Sequence, residues 1–267
     1  MRLLVTNDDG MDCLCLHELV RALREAGHEC YVVAPKSEQS WIGAAKSRHR
    51  AVTSGRVERG FGCPTWIVDG TPSDCVNIAL AHLLPMSGYP APEAVVSGIN
   101  VGLNASVAFI IASGTVGGAW EGALHGLPAV AISQDLSLEA FEQLKYGGGQ
   151  VDQSLTACLR HTAAHAARFA GELLARQAPR CFIVHNLNYP FAARPNATVV
   201  RTVPAQLIMP GLFSPAADDG THRFVFKLGD DVSPSEPLTD RAAIASGLIS
   251  HTILDYRALG RAMMGAG

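Results

Sequence analysis

The sequence predicts an α/β fold built on a doubly wound, mostly parallel sheet. Short β-rich runs alternate with segments of helical spacing through the first half of the chain, which is typical of strands joined by helical crossovers. The 267 residues, 48% of them hydrophobic, suffice for one large α/β domain. No internal repeat or low-complexity linker divides the chain. We therefore predict a single domain over residues 1–267.

The first half contains five predicted strands and three predicted helices. The strand segments are 2–6, 29–34, 65–69, 94–97 and 129–133. Leucine and valine repeat at helical spacing from Leu16 to Leu23, and Gly27 closes that helix. The two further helix segments are 74–84, stopped by the proline that follows, and 114–125. Alternation of this kind predicts right-handed crossovers around a parallel sheet.

The second half is predicted to complete the core and then to extend from it. Residues 151–176 are predicted to form a long Ala-rich helix after a loop at Gly147–Gly149, and 182–187 a core strand that ends the core near 190. Residues 191–235 are rich in Pro, Gly and Asp around β patches at 198–203 and 223–228, which predicts an extended hairpin or arm used in oligomerisation. A strand (247–253) and a short helix (255–264) are predicted within the C-terminal segment 236–267.

Composition and charge exclude several functional classes. The net charge of −3 and the pI near 6.3 give no electrostatic basis for binding a nucleic-acid polymer. No apolar stretch has the length that a membrane span needs, so no membrane association is expected. The seven cysteines are odd in number and lack paired metal-finger spacing, which favours reduced thiols and a cytoplasmic location.

Two adjacent carboxylates, Asp8 and Asp9, follow the first predicted strand directly. Ser40 lies in a polar loop after the second strand, and Asn100 follows the fourth. Because ligands bind outside the carboxyl ends of parallel strands, these four residues are expected along one rim. Carboxylate, hydroxyl and amide oxygens form a hard-donor set that suits Mg²⁺, Mn²⁺ or Ca²⁺. The sequence therefore predicts a divalent-metal site, whereas the competing interpretation is that Asp-Asp-Gly is merely a turn.

A second candidate site lies at the start of the third predicted helix. Ser113, Gly114 and Thr115 place two hydroxyl groups and a glycine where free backbone N–H groups and the helix dipole attract an anion. The alternative is that Ser113 or Thr115 is simply an N-cap. The segment is not a Walker motif, because no Lys-Ser/Thr pair follows the glycines, and no Gly-x-Gly-x-x-Gly follows strand one. A dinucleotide cofactor is therefore not expected.

Taken in order, these motifs resemble the SurE (survival protein E) family of 5′/3′-nucleotidases, which are metal-dependent phosphatases of nucleoside monophosphates. The motifs that carry the resemblance are Asn7-Asp8-Asp9-Gly10, Ala34-Pro35 with Ser40 downstream, Gly70-Thr71-Pro72-Ser73-Asp74-Cys75, Val96-Ser97-Gly98-Ile99-Asn100, Ser113-Gly114-Thr115-Val116, Glu121-Gly122 and Thr239-Asp240. They cover almost the whole chain, and most strongly residues 1–135.

The resemblance implies a Rossmann-like core and a cation, Mg²⁺ or Mn²⁺, on Asp8, Asp9, Ser40 and Asn100. It also implies homodimers or homotetramers assembled partly through exchanged C-terminal elements. We expect hydrolysis of nucleoside monophosphates, with Asp8 and Asp9 as the catalytic carboxylates and Asp9 as either general base or nucleophile. The phosphate is expected on Ser113, Gly114 and Thr115, aided by Asn104.

The chain departs from the family pattern beside these residues. Trp41 follows the loop serine where the family usually has Gly, and Cys13-Leu14-Cys15 replaces the usual Ala-Pro-Gly. The segment 105–112 is apolar and one residue longer than the usual Gly-Asp-Asp and Tyr segment. We expect the metal ligands to be retained and the pocket wall to be changed. Two alternatives stay open: a nucleotide- or anion-binding protein with weak or no turnover, and a phosphatase of non-nucleotide substrates such as short polyphosphate.

Overall fold

The computed structural model describes residues 1–146, 151–191 and 197–258. The strands are β1 (Arg2–Thr6), β2 (Glu29–Pro35), β3 (Ser54–Arg56), β4 (Thr65–Val68), β5 (Ala94–Val101), β6 (Ala129–Gln134), β7 (Ile183–Tyr189), β8 (Val199–Thr202), β9 (Leu207–Ile208), β10 (Asp230–Asp231) and β11 (Ile249–Asp255). The helices are α1 (Leu14–Glu25), α2 (Pro72–Ile78), α3 (Leu84–Met86), α4 (Val107–Ala112), α5 (Gly114–Leu124), α6 (Leu138–Tyr146), α7 (Gln153–Arg176) and α8 (Asp240–Ala245).

Nine of the described strands form one sheet in the order β3-β4-β2-β1-β5-β6-β7-β11-β8. The pairs at β3 and between β7 and β11 are antiparallel, and the other neighbours run parallel. The chain builds outward from β1 on one side, through β2 and β4, and then returns to lay β5 on the other side of β1. The strand order therefore reverses between β1 and β5, where a crevice opens at the carboxyl ends of the strands.

Side chains alternate along the central strands and fill two cores. Leu3 and Val5 of β1 pack with Leu19 of α1 and Leu159 of α7 on one face of the sheet. Leu4 of β1 packs on the other face, in the core that α2 and α5 cover. Helices on both faces explain the nearly continuous apolar runs of the strands. The predicted α/β, doubly wound and mostly parallel fold is confirmed.

Most predicted elements of the first half lie within a few residues of the observed ones. The second helix begins two residues earlier than predicted, at Pro72, because Thr71 forms a capping box with Asp74: the Asp74 N–H donates to Thr71 Oγ1 at 3.1 Å and the Thr71 N–H to Asp74 Oδ2 at 3.0 Å. A π-helical turn over residues 79–83 then leads into α3, so the predicted continuous helix 74–84 is interrupted. The short elements β3, α4, α6 and α8 were not predicted.

The C-terminal part contains the predicted arm, but the patch predicted at 198–203 is not part of it, since Val199–Thr202 form β8 beside β11 in the main sheet. β9 pairs antiparallel with β10, and Phe213 bridges Phe224 further along the same hairpin. The predicted strand patch 223–228 is therefore wrong in detail, since Phe224 makes an isolated bridge within a long hairpin. The predicted loop at Gly147–Gly149 and most of the predicted helix 255–264 lie outside the described residues; 256–258 form a 3₁₀ turn. The role of the arm in oligomerisation stays a prediction.

Within the described residues, none of the helices has the length and apolar character that a membrane crossing requires.

Two histidines face each other in the sheet between β7 and β11. His185 Nδ1 lies 2.9 Å from His251 Nε2, and both side chains are buried. Burial lowers the pKa of His185 to about 4, and burial together with the neighbouring His185 lowers the pKa of His251 to about 3. A single N–H shared between the rings fits a pair in which both histidines are neutral.

We expect this pair to make the free energy of unfolding fall as the pH drops from about 6.5 towards 4. The unfolded chain, with histidine pKa values near 6.5, binds protons in that window that the folded chain does not, so protons favour unfolding. The slope should approach about 1.4 kcal/mol per pH unit for each proton taken up. Urea denaturation of the wild type and of His251→Asn at pH 7 and pH 5 measures the difference, with the exposed His82→Asn as control. An equal pH dependence in the wild type and His251→Asn would contradict this account.

Candidate functional site

Three of the four predicted metal residues, Asp8, Asp9 and Asn100, meet at the crevice between β1 and β5. Asp8 and Asp9 follow the end of β1, and Asn100 lies near the end of β5. Asp8 is buried, with 3% of its surface exposed, and so is Asn100 with 8%. In the turn itself, Asn7 Nδ2 donates to the Gly10 carbonyl at 2.9 Å, which fixes the direction in which the chain leaves the strand.

Thr115 joins the Asp8 carboxylate to Asn100. Its hydroxyl donates a short hydrogen bond to Asp8 Oδ1 and lies 3.2 Å from Asn100 Oδ1. The preceding residue, Gly114, lies so close that an added Cβ would be 2.8 Å from the Asp8 Cβ. A glycine is therefore required there, because any side chain would displace the carboxylate. The first turn of α5 thus sets the position of Asp8.

Asp9 is held from the opposite side of the rim. Its Oδ2 accepts a hydrogen bond from the Val101 N–H at 2.9 Å, and its Oδ1 accepts one from Lys145 Nζ at 2.5 Å. Lys145 belongs to α6 and also donates to Glu38 Oε1 at 2.8 Å. The ammonium group therefore bridges two carboxylates at the mouth of the crevice.

Ser40 reaches this network through Glu38. The Ser40 hydroxyl donates to Glu38 Oε1 at 2.6 Å, and the residue is exposed. The loop itself is fastened to the crevice, because the Gln39 N–H donates to the Asp8 carbonyl at 2.7 Å. The structure thus brings Asp8, Asp9 and Asn100 together directly, and places Ser40 on the neighbouring loop.

The charges of this site are unbalanced. Burial and the neighbouring Asp9 charge raise the pKa of Asp8 to about 7, against the opposing effects of Thr115 and Lys145. Burial opposes the charged form of Lys145, but the Asp9 and Glu38 carboxylates raise its pKa above the ordinary value. Three carboxylates thus share one ammonium group, and an additional cation would lower the energy of the charged form of Asp8.

The donor set fits a hard divalent cation. Asp8 and Asp9 offer carboxylate oxygens, and Asn100 Oδ1 faces the same hydroxyl as Asp8. A cavity of about 220 Å³ opens beside Asp9 and is also lined by Glu38 and Lys145. The described residues contain no group of three or more His, Cys, Asp or Glu side chains clustered as ligands, so the fit depends on amide, hydroxyl and water oxygens as well.

Two of the predicted phosphate residues, Gly114 and Thr115, lie next to Asp8. Ser113 is the N-cap of α5, since its hydroxyl accepts from the Val116 N–H at 3.0 Å. The capping alternative is therefore correct for Ser113. The first backbone N–H groups of a helix have no partner within it, so Gly114 and Thr115 can still present theirs to an anion. Asn104 Nδ2 donates to Ser133 Oγ at 2.9 Å, so the Asn104 side chain lies against β6. Phosphate binding by these residues stays a prediction.

The altered wall, 105–112, forms a loop and the short helix α4. The Ser106 side chain caps α4 by accepting from the Phe109 N–H at 3.4 Å. From the far end of the chain, the buried Asp240 carboxylate accepts from the Ser106 N–H at 2.8 Å and from the Ala205 N–H at 2.9 Å. The wall is therefore fixed by the C-terminal part of the chain.

Two residues of the site, Glu38 and Lys145, were not predicted from the sequence. Glu38 lies in the polar loop that contains Ser40, and its negative charge near a predicted metal ligand is the feature of the sequence that could have indicated it. Lys145 lies on α6, whose apolar residues Leu138, Phe141 and Leu144 recur every third residue. That period predicts a helix, although it does not indicate that the helix meets β1.

Comparisons with known proteins agree with the fold and motifs. The family model described as Survival protein SurE matches residues 3–207. A protein named 5′-nucleotidase SurE from Solidesulfovibrio magneticus is 36% identical over 272 residues, which cover 99% of this chain and 95% of the relative. A protein of the same name from Thermococcus gammatolerans is 34% identical over 91% of this chain and 85% of the relative.

Other matches are shorter or show the fold alone. The 5′-nucleotidase SurE of Synechococcus elongatus is 42% identical over 135 residues, so the matched part of this chain spans about half the length of that relative. The crystal structure of the SurE protein from Aquifex aeolicus is similar over 98% of both chains, with a TM-score of 0.71 and 24% identity. The family match over residues 3–207, together with relatives aligned along nearly the whole chain, shows that this chain belongs to the SurE family.

Proposed function

We propose that the chain is a phosphomonoesterase that depends on a divalent cation and hydrolyses nucleoside 5′- or 3′-monophosphates. The observation that carries the proposal is the pair of buried carboxylate side chains, Asp8 and Asp9, of which Asp8 shares the Thr115 hydroxyl of α5 with the amide of Asn100. Relatives aligned over most of this chain are named 5′-nucleotidase, which supports the nucleotide as substrate.

Asp8, Asp9, Asn100 and Ser40 would hold the cation, Mg²⁺ or Mn²⁺. When bound, the cation neutralises phosphate charge and orients water for in-line attack. Residues of the protein hold the two carboxylates in position. Thr115 fixes the Asp8 carboxylate through its hydrogen bond, and the Val101 N–H fixes that of Asp9.

The substrate phosphate would bind at the N-terminus of α5. The backbone N–H groups of Gly114 and Thr115, in the first turn after the cap Ser113, would bind the phosphate, and the Asn104 amide would be a further donor. The phosphate would then stand beside Asp9, which acts as either general base or nucleophile. Positioning of the phosphate against a carboxylate and a cation is the arrangement that phosphoester hydrolysis requires.

A second candidate function is nucleotide binding with weak turnover. The observation that favours it is the apolar wall at α4 together with Trp41, which stands 40% exposed beside Ser40. The activity measurement below separates the two functions.

We expect the protein to release phosphate from nucleoside 5′- and 3′-monophosphates when Mg²⁺ or Mn²⁺ is present, and none in EDTA. Asp9→Asn should lower kcat by roughly 100-fold or more, because it removes the carboxylate that acts as general base or as nucleophile. The matched control is Asp218→Asn, on the exposed tip of the arm, which should retain full activity. Undiminished turnover of Asp9→Asn or in EDTA would refute the mechanism, whereas binding without hydrolysis across a panel of phosphoesters would favour the second function.

We expect Lys145→Met to bind Mn²⁺ more tightly than the wild type, by roughly tenfold. The substitution removes an ammonium group that neutralises Asp9, so the cation meets a more negative site. Isothermal titration calorimetry measures the affinity, and the Mn²⁺-induced rise in Tm provides a second readout. Arg176→Met, in the exposed last turn of α7, removes a positive charge near the start of β7, at the end of the strands opposite to the site, and should leave the affinity unchanged. Weaker Mn²⁺ binding by Lys145→Met would instead show that Lys145 supports the cation.

A further inference from the structure

An exposed cluster of aromatic rings lies beside the catalytic rim. It consists of Trp41 in the Ser40 loop, Phe109 in α4, and Phe224 and Phe226 in the arm; we name these four residues the aromatic platform. The Trp41 ring centroid lies 5.6 Å from that of Phe109, 5.2 Å from that of Phe224 and 6.3 Å from that of Phe226. Phe109 and Phe226 are 6.1 Å apart. Three separate segments of the chain therefore converge on one aromatic surface.

Much of this surface faces solvent. Trp41 is 40% exposed, Phe224 47% and Phe226 56%. The rings meet at angles between 41° and 68°, so none lies flat on another within the platform. Contiguous exposed aromatic surface is unusual in a folded protein and marks a place where something binds.

The platform is continuous with the predicted phosphate site. Trp41 is adjacent to Ser40, and Phe109 lies in α4, which ends at Ala112 directly before Ser113. The Gly43 N–H donates to the Ala112 carbonyl at 2.8 Å, which ties the Trp41 loop to the end of α4. Gly117 of α5 allows close packing there, since an added Cβ would be 2.4 Å from the Gly43 carbonyl oxygen. The platform is thus fastened to the first turn of α5.

The backbone at Trp41 also indicates a use for its ring. Its φ of +63° lies in the left-handed region, which glycine adopts readily and a bulky residue rarely does. Trp41 therefore adopts a backbone conformation that is unfavourable for a residue with a bulky side chain, and it also exposes apolar surface. Such residues are found where the surrounding structure and the function require the side chain.

We propose that the aromatic platform binds the nucleobase of the substrate, and that it selects nucleoside monophosphates over phosphomonoesters without a base. The proposal rests on the proposed function. With its phosphate at the N-terminus of α5, a nucleotide would extend its sugar across the rim and place its base against Trp41. Every nucleobase presents a flat π-face, and stacking on aromatic side chains binds it without hydrogen-bond recognition.

The test compares kcat/KM for a nucleoside 5′-monophosphate with kcat/KM for ribose 5-phosphate, which keeps the phosphate and sugar but lacks the base. In Trp41→Gly we expect this ratio to fall roughly tenfold, through a higher KM for the nucleotide. Glycine suits the positive φ, so the variant removes the ring without straining the loop. Trp41→Phe should retain most of the preference. The control is Phe182→Ala, which removes an exposed ring just before the start of β7, at the end of the strands opposite to the site. This variant should leave the ratio unchanged.

The outcomes separate this inference from the proposed function. An unchanged ratio in Trp41→Gly, or an equal loss for both substrates, overturns the platform. If the ratio is unchanged but the oligomeric state of Trp41→Gly differs from that of the wild type, the rings form a contact between subunits, and the proposal is also wrong. If the wild type hydrolyses neither compound, the proposed function fails, and calorimetry with the same two compounds decides the inference. A preference for the nucleotide that disappears in Trp41→Gly then supports the platform, whereas equal binding or none overturns it.

Discussion

Asp8 and Asp9 bury two neighbouring carboxylates at the end of β1, and the surrounding structure has to compensate their charge. Burial of charge is costly unless partners compensate it. Thr115 approaches Asp8 from α5, and Lys145 approaches Asp9 from α6, while the Val101 N–H reaches Asp9 from β5. Each of these partners compensates part of the cost, and the raised pKa of Asp8 shows that the compensation is incomplete. The same deficit is the physical basis of the cation site that we propose.

The sheet topology decides which segments can supply these partners. Since the strand order reverses between β1 and β5, the loops after the two strands diverge and leave room for a ligand. The helix α5 then begins in that opening, with its N-terminus at the carboxylates and its small residues against the sheet. The strands provide the rigid support, and the loops after them carry the chemistry.

The sequence predicts well those features that depend on neighbouring residues, such as strands and helices. It predicts poorly those that depend on contacts between distant segments. The apolar runs and helical spacing predicted β1, β2, β4, β5, β6 and α5 because one period defines each element. The shared rim of Asp8, Asp9 and Asn100 followed from parallel strands alone. By contrast, Lys145 meets Asp9 across 136 residues of sequence, and Asp240 meets Ser106 across 134. No local pattern encodes such contacts, since they depend on how α6 and the C-terminal segment pack.

The bond from Asp240 to the wall of the site bears on when that wall can form during synthesis. A chain that has emerged only as far as residue 207 already contains Asp8, Asp9, Ser40 and Asn100. It lacks the carboxylate that accepts from the Ser106 and Ala205 N–H groups, so one of the contacts that hold the segment ahead of α4 is missing. The wall therefore gains these two hydrogen bonds only after synthesis has passed residue 240. A chain that ends before Asp240 would contain the candidate site residues, but its wall would lack this anchor.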